Sequence, residues 1–280
     1  MDTKDSLRKA ADVLKFADAI IITAGAGMSV DSGLPDFRGD DGFWKAYPAF
    51  RHLGLSFSDL ANPRWFEENP ALAWGFYGHR LNLYRSTEPH AGYDVLKRFA
   101  TRARDGAFVF TSNVDGAFKR VGFERKQVVE CHGSIHHVQC MGNCGVGILP
   151  ADDVHVKVDS STMQVVGPLP KCPRCGSLLR PNILMFGDPG WDYSHAHEQD
   201  DSFRAWMDRI VSRQSTVAII EVGAGKSIPT VRHQGQVLSK SLSAPLIRIN
   251  VRDHDGPPGT ISIPLGAKEA LVELEVLVRG

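Results

Sequence analysis

A chain of 280 residues can bury one sizeable core, or a large one beside a small one. Its 32 basic residues balance 32 acidic ones, which argues against a general binder of nucleic acid or of a membrane surface. No apolar run approaches the roughly 20 residues of a membrane span, and Met1-Asp2-Thr3-Lys4-Asp5 opens an amphipathic segment rather than an apolar leader, so the expectation is a cytoplasmic protein without nucleic-acid or membrane partners, taken as a monomer by default.

Leu7, Ala10, Ala11 and Leu14 recur at helical spacing and predict an amphipathic first helix. Ala19–Thr23 follows as an apolar run, the pattern of a strand buried on both faces. Residues 43–88 are rich in aromatics and carry no strand signal. Further strands are predicted over Ala107–Thr111, Gln127–Glu130, Asn182–Phe186, Thr216–Val222, Leu246–Asn250 and Thr260–Pro264, with a closing helix over Ala267–Val278. This alternation predicts an α/β fold with a parallel sheet. The aromatic stretch 43–88 and the cysteine-bearing stretch 136–181 interrupt it. They are read as a helical and a zinc-binding insertion that together make a small domain over the sheet's carboxyl edge, where open α/β sheets bind ligands. The large domain then comprises residues 1–42, 89–135 and 182–280.

Gly25-Ala26-Gly27 directly follows the first strand. Glycine there lets the backbone turn tightly and approach a pyrophosphate. The dehydrogenase fingerprint Gly-x-Gly-x-x-Gly is not met, because the next glycine is Gly33 and the acidic Asp40 and Asp41 follow a loop. Hydride transfer is therefore disfavoured. Thr111-Ser112-Asn113-Val114-Asp115 ends another strand and points polar groups at the same crevice, although Asn113 or Asp115 alone could be a plain Asx turn. His132-Gly133 follows a third strand, and a histidine there can act as a general base. Cys131 beside it reads as a small buried residue. Cys140, Cys144, Cys172 and Cys175 make two close thiolate pairs that suit a tetrahedral structural zinc with no open position. His195-Ala196-His197-Glu198 is not read as a second metal site, since residues two apart do not share a helix face.

The continuation Ser32-Gly33-Leu34-Pro35-Asp36-Phe37-Arg38-Gly39 is more specific than the glycines and resembles the cofactor loop of the sirtuins, the NAD-consuming protein deacylases. The segment at 111–115 is similar to their Thr-Gln-Asn-Ile-Asp, with Ser112 in place of Gln, and His132-Gly133 matches their His-Gly. Arg180–Asp188 resembles the segment that pairs with substrate peptide by strand addition. Glu221–Pro229 stands where the family has Gly-Thr-Ser, with Ala224 and Gly225 replacing the two hydroxyl residues. Ile249-Asn250-Val251 matches the asparagine that holds the adenosine ribose, and Gly266-Ala267 resembles the adenine end.

The resemblance spans nearly the whole chain in order. It implies a Rossmann-like, doubly wound parallel sheet with a smaller inserted zinc-binding and helical domain, NAD as co-substrate and Zn2+ as structural metal. The cofactor-binding residues it implies are Gly25, Ala26, Gly27, Asp36, Phe37, Arg38, Ser112, Asn113, Asp115, Gly223, Ala224, Asn250, Val251 and Ala267. His132 is the implied general base toward a ribose hydroxyl, Asn113 places the ribose, and Asp115 meets the nicotinamide carboxamide. Phe186 and Gly187 would meet the acylated-lysine protein substrate. The implied products are free lysine, nicotinamide and O-acyl-ADP-ribose. On the same scaffold, a mono-ADP-ribosyltransferase or an NAD hydrolase is the alternative enzyme. A zinc-dependent nucleic-acid reader or an inactive NAD sensor is the alternative binding module.

Tyr77 and Arg80 lie three apart and so share a helix face. The plain reading is a surface tyrosine stacked under an arginine. The Tyr-x-x-Arg pattern also resembles the sirtuin branch that removes succinyl, malonyl and related acidic acyl groups, which implies that Tyr77 and Arg80 bind a distal carboxylate. A planar guanidinium suits that task because it can grip both oxygens.

Overall fold

The computed structural model describes residues 2–35, 39–52 and 54–280, and their side chains except those of residues 39–42 and 52. β1 (Ala19–Ala24) is buried at every position. β2 (Ala107–Thr111) and β3 (Val128–Glu130) extend its sheet on one side. β4 (Gly133–Cys140), β5 (Ile148–Pro150), β6 (Val158–Asp159), β7 (Gln164–Val165) and β8 (Leu179–Ile183) lie outside that sheet. β9 (Val217–Val222), β10 (Leu246–Ile249) and β11 (Ile261–Ile263) extend it on the other side. The result is a six-stranded parallel sheet in the order β11-β10-β9-β1-β2-β3.

Helices on both faces explain the unbroken apolar runs. Ile20 and Ile22 point to one face, where Leu7, Ala10 and Leu14 of the first helix (Thr3–Lys15) meet Leu271 and Leu274 of the last (Ala267–Arg279). Ile21 points to the other, against Phe203, Trp206 and Ile210 of the helix Ser194–Ser212. The chain leaves β1 toward β2 and β3, then returns to β9 on the opposite edge of β1. Strand order reverses there, so the carboxyl ends of β1, β2 and β9 open a crevice.

One expected strand is corrected. The segment expected over Asn182–Phe186 pairs instead as β8, over Leu179–Ile183, antiparallel to β4 in a three-stranded sheet β5-β4-β8. The apolar run that suggested a buried strand continues past β8 as a rim, where Leu184 and Phe186 are 38% and 45% exposed. β4, Gly-Ser-Ile-His-His-Val-Gln-Cys, has no apolar run and gave no strand signal.

Five helices cover 39–86: Gly39–Ala46, Pro48–His52, Phe57–Leu60, Trp65–Glu68 and Pro70–Ser86. Phe43, Tyr47, Phe50 and Phe76 form an aromatic core that continues to Ile135, Val138 and Leu179 of the three-stranded sheet. Asn69 starts the longest of these five by accepting the Leu72 N–H at 3.1 Å, with Pro70 at its first position. Trp74 Nε1 donates to the Leu179 carbonyl at 2.7 Å and ties that helix to β8. β6 and β7 pair antiparallel as a hairpin, and Gly75 lets it pack closely, since a Cβ there would lie 1.8 Å from the Met163 carbonyl oxygen. No described helix is long and apolar enough to cross a membrane.

Candidate active site

A cavity of about 330 Å³ fills the crevice at the strand-order reversal. Its first wall is backbone. The Gly25 N–H donates to the Val222 carbonyl at 3.0 Å, and the Gly27 N–H to the Gly223 carbonyl at 3.0 Å. The loops after β1 and β9 therefore press together. A Cβ on Gly223, whose φ is +65°, would lie 2.1 Å from the Met28 nitrogen, so only glycine allows this approach. Gly25, Ala26, Gly223 and Ala224 all face the cavity.

The second wall is a closed polar network. The Ser29 hydroxyl donates to Asp115 Oδ2 at 2.6 Å, and the Ala117 N–H donates to Asp115 Oδ1 at 2.9 Å. Asn113 Nδ2 donates to the Gly25 carbonyl at 3.1 Å and to Ser29 Oγ at 3.3 Å. Ser29 has given its one hydrogen to Asp115, so the Tyr93 hydroxyl, 2.9 Å away, is a donor to Ser29. Burial pushes the Tyr93 phenol well above its usual pKa and keeps that hydrogen in place. Behind Asp115, His136 Nε2 lies 2.8 Å from the Asp115 carbonyl oxygen. Ser29 and Tyr93 were not among the sequence candidates. Ser29 stands inside the glycine motif, which is a usable signal, whereas Tyr93 carries none.

His132 sits between β3 and β4 and lines the same cavity, half-buried. Burial lowers its pKa, so the imidazole is neutral near pH 7 and able to take a proton. Gly133 after it has a φ of +75°, and a Cβ there would lie 2.1 Å from the Asn182 carbonyl oxygen. Burial pushes the Cys131 thiol up to about 12, which removes it as a nucleophile.

The far end of the cavity is aromatic and cationic. Tyr77 and Arg80 are 1% and 6% exposed, so the surface-stacking reading is set aside. The Arg80 guanidinium lies 5.3 to 5.9 Å from the ring centres of Phe57, Phe76, Tyr77 and Tyr84. Burial pushes the Tyr77 phenol up to about 12. Phe186 stands at the rim, edge-on to Phe57 at 6.2 Å. The N–H groups of Leu184, Met185 and Phe186 already donate to the His132 carbonyl, the Asp188 carboxylate and the Ala61 carbonyl. An added strand at this segment would therefore meet its carbonyls rather than these N–H groups.

The cavity brings together Gly25, Ala26, Tyr77, Arg80, Ser112, Asn113, Asp115, His132, Phe186, Gly223 and Ala224. Gly27, Gly187, Asn250, Val251 and Ala267 are not among its lining residues. Asn250 instead binds the Ala224 carbonyl at 2.9 Å and accepts the Arg252 and Asp253 N–H groups at 3.0 Å, joining two loops that reach the cavity. Asp36, Phe37 and Arg38 lie outside the described residues.

The sulfurs of Cys140, Cys144, Cys172 and Cys175 lie within 4.8 Å of one another, with neighbouring pairs at 3.5, 3.7 and 3.8 Å. Tetrahedral Zn–S bonds of ~2.3 Å require sulfurs ~3.8 Å apart, so the four thiolates fit zinc. Cys140 Sγ also accepts the Gly142 N–H at 3.3 Å. His195 and His197 lie on the helix Ser194–Ser212 and are not part of this cluster. The glycine walls and the preset amide and carboxylate likewise fit a dinucleotide, with room at the switch point for its pyrophosphate and ribose.

The Sir2 family model matches residues 25–205. A protein named NAD-dependent protein deacylase from Thermococcus kodakarensis is 36% identical over 185 residues, which is 65% of this chain and 65% of that one. The chain thus spans just under two thirds of that relative's length. A relative of the same name from Aquifex aeolicus is 30% identical over 237 residues, 82% of each chain. The crystal structure of a Sir2 homologue in complex with NAD superposes with a TM-score of 0.68 at 27% identity, over 97% of this chain and 93% of the other.

Proposed function

We propose, from the premise that this chain belongs to the Sir2 family, that it is an NAD-dependent protein lysine deacylase acting on acylated lysines of other proteins. The observation that carries the reading is the convergence, in one cavity, of a half-buried neutral histidine, an amide and a carboxylate held by hydrogen bonds, and glycine-walled loops. NAD, when bound, supplies nicotinamide as leaving group and a ribose hydroxyl as acceptor of the acyl group. His132 takes the proton at its imidazole nitrogen. Asn113 orients the ribose and Asp115 the carboxamide, both held in place before any ligand arrives. Leu34, Phe57, Ile183 and Met185 give the cavity apolar walls that exclude water from the reacting centre. Asn250, Val251 and Ala267 are assigned to the adenosine end, and Asp36, Phe37 and Arg38 to shielding the centre.

The acyl group carries a carboxylate and ends at Tyr77 and Arg80. A buried guanidinium in the cavity of His132 supports this, because its charge has been desolvated where an acyl tail would reach. A cytoplasmic, monomeric working form completes the proposal. No described cysteine forms a disulfide, and four of the five cluster as zinc ligands, which fits a reducing compartment; cell fractionation of tagged protein and gel filtration of the purified protein check the two parts.

The test mixes purified protein, NAD and a succinyl-lysine peptide and measures nicotinamide and deacylated peptide. Equal amounts of the two are expected. Nicotinamide released without deacylated peptide would move the assignment to ADP-ribosyl transfer or NAD hydrolysis.

A further inference from the structure

The acyl end holds one group without a role so far. Tyr84 lies one helical turn beyond Arg80 and lines the same cavity. Its hydroxyl accepts from Arg80 Nε at 3.1 Å and from Nη2 at 2.8 Å. A phenol oxygen has a single hydrogen. With two N–H donors on the oxygen, that hydrogen must turn away from the guanidinium. Among the described residues it reaches no acceptor. The phenol is 6% exposed, so solvent serves it poorly, and an oxygen brought by a ligand would complete it. Burial, working against the Arg80 charge, still raises the Tyr84 pKa, so the hydrogen stays on the oxygen at neutral pH.

Two consequences follow from the geometry. Tyr84 fixes the guanidinium plane by binding two adjacent N–H groups, while the surrounding rings hold the cation. Tyr84 also stands beside that cation as a neutral donor. An anion arriving at the guanidinium thus meets a second donor without a further desolvated charge. We propose that Tyr84 is a specificity-determining residue, which donates its hydroxyl hydrogen to the terminal carboxylate of the acyl group while it orients Arg80. A neutral acyl chain leaves the hydrogen unpaired and is disfavoured by that difference. The proposal rests on the deacylase reading with an acidic acyl group.

The test compares wild type, Tyr84→Phe and Arg80→Met on succinyl- and acetyl-lysine forms of one peptide. A hydrogen bond to a charged group is worth roughly a factor of ten or more. Tyr84→Phe is expected to raise the KM for the succinyl peptide about tenfold, to change kcat less, and to lower the succinyl-to-acetyl ratio of kcat/KM. If Tyr84→Phe keeps the wild-type KM and ratio while Arg80→Met loses the preference, Tyr84 has no such role and the deacylase reading stands. If wild type itself shows no succinyl preference, the acidic-acyl reading fails and this inference falls with it. If Tyr84→Phe does not fold, ultraviolet difference spectra of Tyr77→Phe decide, taken at peptide concentrations that saturate it by an independent binding measurement. A red shift of phenol absorption with the succinyl peptide and none with the acetyl peptide supports Tyr84 as donor, and no shift with either overturns it.

Discussion

At the cavity end nearest β1, Ser29, Asn113, Asp115 and Tyr93 direct their hydrogen bonds at one another and at the backbone. At the opposite end, Arg80 is held by aromatic rings and one phenol whose hydrogen has no acceptor among the described residues. The first arrangement is complete before a ligand binds, so it fixes geometry and is indifferent to which acyl group arrives. On the proposed reading the second is completed by the ligand, and so it discriminates. Changes at the first end should therefore lower turnover of every substrate, and changes at the second should alter the ranking of substrates.

His132→Ala should have the largest effect, a loss of about 10²–10⁴ in kcat on both succinyl and acetyl peptides, with little change in melting temperature. A loss confined to one peptide would break the division between the ends. Cys172→Ser comes next, because it removes one of four thiolates that brace β4 and β8, the strands flanking His132 and the rim. Bound zinc should fall and the melting temperature should drop by at least about 5 °C. Unchanged metal content and melting would remove the structural zinc.

Asp115→Ala sharpens the comparison at the closed end. It strands the Ser29 hydroxyl and the Ala117 N–H, at a cost of about 1–3 kcal/mol in denaturant unfolding. Its effect on kcat/KM should be equal for the two peptides. Arg80→Met sharpens it at the open end, lowering the succinyl-to-acetyl ratio of kcat/KM about tenfold or more. Equal losses on both peptides would make Arg80 a structural cation only. The smallest effect is that of pH. Burial lowers the His132 pKa from 6.5, and the base works when neutral. A depressed histidine pKa keeps the folded protein's imidazole neutral down to the lowered value, while the stability linked to it is fully present above 6.5 and is lost as the pH falls from there through the lowered value. On the acid side kcat/KM should therefore hold as the pH passes 6.5 and decline only below it. A decline centred above that value would contradict the assignment.

Much of this was legible in the sequence because buried parallel strands write themselves as apolar runs. Ile20, Ile21 and Ile22, or Ile219 and Ile220, leave little choice. β4 escaped notice because its His136 and His137 occupy an irregular pairing with β8, where the register shifts between Ser134 and Val138. Cavity-lining residues on loops after strands, such as Gly25, Asn113 and His132, were within reach of motif. Tyr93 could not be, since its contact with Ser29 crosses 64 residues of chain. Helical spacing placed Tyr77 and Arg80 on one face but not which way that face looked. Gly75 and Gly78 mark the face of the helix that packs closely against residues 156–164, which leaves the Tyr77–Arg80 face to the other side. Tyr84 was within reach of the same periodicity, yet its meaning lies in hydrogen-bond directions that spacing does not encode.

The most direct measurement is a competition in one tube. Wild-type protein, NAD and equal amounts of succinyl- and acetyl-lysine peptide are incubated, and the O-acyl-ADP-ribose products are resolved by mass spectrometry. The account predicts O-succinyl-ADP-ribose in clear excess. O-acetyl-ADP-ribose in equal or greater amount would contradict the acyl end, and nicotinamide with no O-acyl product would contradict deacylation itself.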